Sequence, residues 1–142
     1  MANQPEILTK PFELGYTYTR STGPLIGRFL TELREGSITG VRSPDGRVIV
    51  AAAESEPGSC ASPAEVVPVA DTGTVTTWCW VKQPTTHHVL QHPFAFALVK
   101  LDGADVPMLH VVDAGEESAM RSGMRVRVRW APERRGSITD IA

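Results

Sequence analysis

The chain has 142 residues, 42% of them hydrophobic and 21% charged, and a formal net charge of −2. That size and balance suit a globular protein with a real core. They exclude long-range electrostatic capture of nucleic acid or of an anionic membrane, and no apolar run approaches the ~20 residues of a membrane span.

The N-terminal stretch MANQPEILTKPFE lacks a basic start followed by an apolar segment, so no signal peptide is expected. With Cys60 and Cys79 read as free thiols, a cytoplasmic setting follows. Further on, GYTYT places Tyr16 and Tyr18 in alternation, on one side of a short extended segment.

The first regular element is STGPLIGRFLTELREG, residues 21–36, a predicted helix. Pro24 suits the first turn and Gly36 the position just past the end. Leu25, Phe29 and Leu33 recur every four residues, and Ile26 and Leu30 widen that stripe. A helix of about three turns does not hold alone in water, so the stripe must lie on something. Its own domain or a partner protein can serve.

GVRSPDGRVIVAAAESEPGSCASPAE, residues 40–65, is laid out like a metal finger: two turns around a short apolar run. Asp45-Gly46 is a hairpin signal, and Val48, Ile49 and Val50 read as a strand. A structural zinc needs four ligands, usually from two paired-cysteine knuckles. Here Ser43 and Gly46 stand near the first knuckle and Cys60 alone near the second. No zinc is expected.

From Val66 onward the pattern is β. VVPV is a strand, Asp71-Thr72-Gly73 a turn, and TVTTWCWV a longer strand in which Thr76, Trp78 and Trp80 alternate with Thr77, Cys79 and Val81. Cys79 reads as a small buried hydrophobe. FAFALVKL (94–101) and VPMLHVV (106–112) form a hairpin around Asp102-Gly103. DAGEESAMRSGM is a connector with room for a helical turn. MRVRVRW (124–130) alternates strictly, with Met124, Val126, Val128 and Trp130 inward and Arg125, Arg127 and Arg129 outward. The run at 137–141 reads as a further strand. Five hairpin-linked strands point to a small OB-type barrel, because closure removes exposed edges.

Chemistry-bearing residues are sparse. His87, His88 and His92 share a loop, and His110 sits on the next strand. The adjacent pair would point to opposite sides, and no carboxylate lies within the run, so solvated or hydrogen-bonded loop histidines are the plain reading. No nucleophile elbow, phosphate loop or dinucleotide fingerprint is present, so nothing in the sequence reads as an enzyme's own active site. The arginine stripe suits phosphates of nucleic acid or of coenzyme A, an acidic partner, or simply the wet face of a barrel.

In order, PFELGYTYTRSTGPLIGRFLTELREGSITGVR, the two-turn hairpin, DTGTVTTWCWV, PFAFALVKLDGADVPMLHVV and SGMRVRVRW resemble the acyl-CoA-associated OB-fold family, domain of unknown function 35. The resemblance covers nearly the whole chain, and the missing knuckle cysteines are its departure. It implies a mainly β fold: residues 1–66 hold the N-terminal segment, the helix and a metal-free hairpin of rubredoxin or zinc-ribbon type, and residues 67–142 hold a five-stranded OB barrel. It also implies a non-catalytic accessory subunit that docks on a thiolase-fold, lipid-transfer-protein-like aldolase or thiolase and helps form its acyl-CoA site. The wording is closest to the steroid side-chain degradation branch. Tyr16, Tyr18, Leu25, Phe29 and Leu33 are then the expected partner contacts, and Arg125, Arg127 and Arg129 the expected coenzyme A contacts. No tightly bound cofactor, membrane contact or nucleic acid is expected. Single-strand nucleic-acid binding is the alternative, with Trp78 and Trp80 as the stacking aromatics.

Overall fold

Helix α1 spans Pro24–Glu35 in a computed structural model that describes residues 9–55 and 65–142. Pro24 opens it, and Gly36 ends it in the left-handed region at φ 79°. The Gly36 N–H donates to the Leu33 carbonyl (3.0 Å) and the Ser37 N–H to that of Glu32 (2.9 Å), which is the paired closure a C-terminal glycine permits. Gly23, at the N-cap, has no side chain to offer. Glu54 substitutes from a distant loop: its Oε1 accepts the Ile26 N–H at 2.8 Å. A carboxylate there also meets the positive end of the helix dipole. Replacing Glu54 with alanine should cost about 1 kcal/mol, the usual loss for a missing cap. Glu54→Gln, which keeps an acceptor, should cost clearly less. Urea denaturation of the two variants separates the hydrogen bond from the charge.

Three strands follow the helix into one antiparallel sheet, ordered β2-β1-β3: β1 Ile38–Arg42, β2 Val48–Ile49 and β3 Glu65–Val69. The β1–β2 turn is the first of the two finger-like turns. Gly46 takes φ 87° there, as the Asp-Gly signal predicts. No thiolate is needed to close it. The Asp45 carboxylate accepts the Arg47 N–H (3.1 Å) and faces the Arg47 guanidinium (2.6 Å), while Arg42 reaches the Gly46 carbonyl and pairs with Glu65 (2.8 Å). The Arg47 amide and guanidinium hold the Asp45 carboxyl below its ordinary range. Behind the turn, buried Val48 and Val50 anchor the ribbon. Asp105 ties it to the second sheet, accepting the Val48 N–H on its carboxylate and donating its own N–H to the Val48 carbonyl, both at 2.8 Å. The second finger-like turn, with Cys60, lies outside the described residues.

The second sheet is antiparallel with order β6-β5-β4-β7: β4 Thr72–Val81, β5 Phe94–Leu101, β6 Met108–Val112 and β7 Arg125–Arg127. All five expected strands form, but they do not close into one barrel. Pairing Val69 with Ile38 and Glu65 with Arg42, β3 joins the ribbon sheet. Edges β6 and β7 stay unpaired. The turn before β4 is also tighter than expected, since Thr72 and Gly73 already belong to the strand. A bulge between Val75 and Thr77 resets the alternation of β4. Val75 therefore faces the core, whereas Thr76 and Thr77 both lie exposed.

The core lies between α1, the ribbon and the inner face of the second sheet. Leu33, Val75 and Ala95 are fully buried, and Phe29, Ile38, Val48, Val99 and Leu101 nearly so. Trp78, Trp80, Met124, Val126, Val128 and Trp130 pack against it, which bears out the inward set of the arginine-rich stretch. The connector before β7 carries the expected helical turn, a 3-10 turn at Glu117–Ala119. The run at 137–141 is corrected: Ile138–Asp140 is another 3-10 turn, and only a single bridge, Trp130 to Ile141, is strand-like. Buried Asp140 explains the difference. Its carboxylate accepts N–H groups of Arg135, Gly136 and Ser137, and Ser137 reciprocates by capping Thr139. Burial pushes the Asp140 carboxyl up, but these amides outweigh it and hold the group below its ordinary range. Arg134 then donates to the Arg34 carbonyl at 2.9 Å, stapling this segment to the C-terminus of α1.

Candidate functional site: an apolar sheet face and an arginine-rimmed cavity

Register decides which side chains share each face of the second sheet. Trp78 and Trp80 lie opposite Ala97 and Ala95, which lie opposite His110 and Val112. These form the inner face. The outer face carries two rows across three strands: Cys79, Phe96 and Val111, then Thr77, Leu98 and Leu109. A half-solvated antiparallel sheet normally turns polar residues outward. Here Phe96, Leu98 and Val111 are only half-buried, and Leu109 is 64% exposed. At one end of the rows, His88 covers Phe94 and Phe96 edge-on, with ring centroids 5.5 and 6.0 Å away. Exposed Val89 adjoins it in sequence. Apolar surface of this kind marks an interaction site.

Cys79 is an exposed free thiol on this outer face, not the buried hydrophobe expected. The tryptophans beside it turn inward instead. Both stay partly exposed where they pack against the core.

The interface residues expected from sequence divide. Tyr16 and Tyr18 are 77% and 83% exposed, and they continue a longer alternation with Phe12 (84%) and Leu14 (63%). All four stand on a segment without secondary structure. Phe12 and Leu14 escaped the sequence reading, although PFELGYTYT already shows the period. Phe29 and Leu33, by contrast, are buried in this chain's own core, with Leu25 half-buried beside them. The helix stripe is internal packing, and Phe29 and Leu33 are not available to a partner.

The arginine stripe also resolves into separate roles. Arg125 grips Asp102 with both terminal nitrogens, one of them 2.7 Å from Oδ1, and donates to Thr74 at 3.0 Å. That guanidinium, helped by the Thr72 hydroxyl, holds the Asp102 carboxyl far below its ordinary range. Arg129 pairs with Asp113 at 3.1 Å, and Asp113 also meets His92 Nε2 at 3.1 Å. Burial raises the Asp113 carboxyl, yet Arg129 and His92 together leave it lowered. So the carboxylate missing from the histidine run arrives from the end of β6. Arg127 has no ion pair among the described residues. His88 holds the loop, its Nδ1 accepting the Thr85 N–H at 2.8 Å, whereas His110, on β6, sits 3.2 Å from the Val111 carbonyl.

Between the free edges of β6 and β7 lies a cavity of about 310 Å³. Val99, Met108, Val112, Val126 and Val128 wall it, and Arg127, Arg129 and Asp113 stand at its rim. Among the described residues, no cluster of three or more His, Cys, Asp or Glu side chains is arranged to hold a metal ion. No described helix is long and apolar enough to cross a membrane.

Comparison with known proteins follows the same outline. Residues 66–131, which carry β4 to β7, match the family described as ChsH2, C-terminal OB-fold domain. No curated protein matches the chain. One similar solved structure is a protein of unknown function from the DUF35 family of Sulfolobus solfataricus, 18% identical over 75% of this chain and 78% of that one, with a TM-score of 0.59. Another is described as the Ltp2-ChsH2(DUF35) aldolase, 14% identical over 83% of this chain and 92% of that one, with a TM-score of 0.63. At those identities the likeness is one of fold.

Proposed function

Residues 66–131 match the ChsH2 C-terminal OB-fold domain, and we propose that the chain is a DUF35-type, non-catalytic accessory subunit. It docks on a thiolase-fold, lipid-transfer-protein-like aldolase or thiolase and helps form the acyl-CoA site, in steroid side-chain degradation. The observation that carries the reading is the apolar outer face of the matched domain, with Phe96, Leu98, Leu109 and Val111 in two cross-strand rows. A patch of aliphatic and aromatic side chains with charge only at its border, at Lys100, suits the core of a subunit interface with a polar rim. One structural relative, described as the Ltp2-ChsH2(DUF35) aldolase, supports the same assignment.

In this reading the chain performs no bond-making step. It excludes water from one wall of the partner's site and supplies charge to the phosphates of the acyl-CoA. Arg127 is the residue assigned to those phosphates. Arg125 and Arg129, proposed with it from sequence, already face Asp102 and Asp113, so they brace the edge strand that holds Arg127 out. Tyr16 and Tyr18 are assigned to intersubunit contact.

The test is copurification. The tagged full chain is expressed with the thiolase-fold proteins encoded beside it, and what elutes is identified. A stoichiometric thiolase-fold subunit that cleaves a steroid-CoA only in the complex is the expected result. Elution alone, or equal activity of the large subunit by itself, would overturn the assignment.

A further inference from the structure

The second sheet is an incomplete barrel, and the chain carries a segment whose sequence alternates like a strand. Edges β6 and β7 are both free, and the apolar cavity of about 310 Å³ opens between them. Free edges present unsatisfied N–H and C=O groups to whatever strand approaches. Before α1, residues 12–18 have no secondary structure, and no hydrogen bond ties them to the described remainder of the chain. The segment's sequence alternates Phe12, Leu14, Tyr16 and Tyr18, all highly exposed, with Glu13, Gly15 and Thr17. That is the period-2 pattern of a strand with one face to be buried.

We propose that this arm inserts along the seam between β6 and β7 of a second copy, in reciprocal exchange, so that each chain completes the other's barrel. The arm backbone would pair with a free edge while alternate apolar side chains enter the cavity, the mode by which extended segments complete open sheets. Area favours a second copy as the occupant. Burying three aromatic rings and a leucine removes roughly 500 Å² per arm. Two arms with the surfaces that receive them reach on the order of 2,000 Å², above the ~1,200 Å² at which stable interfaces begin. One arm exchanged for one arm also closes the symmetry, leaving no strand to recruit further copies. The exchange leaves the outer face free for a thiolase-fold subunit, but it competes with the accessory-subunit reading for Tyr16 and Tyr18 and for the cavity rim at Arg127.

Light scattering on the full chain should give twice the 15.4 kDa monomer mass at tens of micromolar. The exposed-arm variant F12S/L14S/Y16S/Y18S should be monomeric with an unchanged circular dichroism spectrum. A monomeric wild type, or a variant that stays dimeric, overturns the proposal. The geometry is tested by mixing two single-site chains in a background with Cys60→Ser and Cys79→Ser, one with Tyr16→Cys and the other with Val126→Cys. Oxidation should link one chain to the other. If no mixed dimer forms, while a chain carrying both changes closes an internal disulfide, the arm folds onto its own seam and the exchange is wrong.

Discussion

Leu33→Ala should lower the unfolding free energy by about 3 kcal/mol, within the range measured for buried leucine truncations. For a chain of this size that corresponds to a fall of roughly 10 °C in Tm. Leu33 is fully buried, at the point where α1 meets the ribbon and core. Its removal leaves a cavity between an immobile helix and two sheets, and neither side can collapse to fill it, because Arg134 pins the helix end and Asp105 pins the ribbon. Phe29→Ala should cost as much or more. Leu25→Ala, one turn earlier and half-buried, should cost less than about 1 kcal/mol. Denaturant unfolding of the three variants of the isolated chain gives the profile directly. A loss under about 1 kcal/mol at Leu33 would mean that the stripe is not packed in the free subunit, and the helix would again become a partner surface.

The helix shows what the sequence makes legible. Pro24, Gly36 and the four-residue spacing fix its ends and its apolar side, because they act within a few residues of one another. What covers that side is a long-range matter. A stripe that packs on its own ribbon and one that packs on another protein have the same spacing, and only the contacts of Phe29 and Leu33 with the core distinguish them. The strands behave alike. Each of the five is visible from alternation and turns, but β3 takes its partner from β1, a choice set by pairing across the chain. The arginines outside β7 were visible as a stripe. Their carboxylate partners, Asp102 and Asp113, lie 23 and 16 residues away, so no local pattern could announce them. Two features were available and carried more than was read from them. FAFALVKL is apolar at both parities, more than a one-sided sheet needs, and PFELGYTYT begins its alternation at Phe12.

The double substitution L98D/L109D should abolish copurification with a thiolase-fold subunit while leaving the isolated chain folded. The two side chains are neighbours in register on β5 and β6, with Leu98 half-buried and Leu109 largely exposed. Neither belongs to the core cluster, so a carboxylate at either position stays within reach of water in the free protein, and the change in stability should be small. In a complex that covers this face, two like charges on adjacent strands would be desolvated, with Lys100 at the patch border the one outward cation beside them on β5. Truncation of one buried, paired charge at an interface already costs about 2–5 kcal/mol, and two unpaired carboxylates in the centre of a patch should exceed that. Since 1.4 kcal/mol is tenfold in affinity, a loss of at least a thousandfold is expected, enough to empty a pull-down. The control is R127Q, which alters the rim and leaves the outer face intact. It should copurify normally and show its effect in the KM for acyl-CoA. A complex that survives L98D/L109D would place the partner elsewhere, and the unexplained apolar rows would then require another occupant.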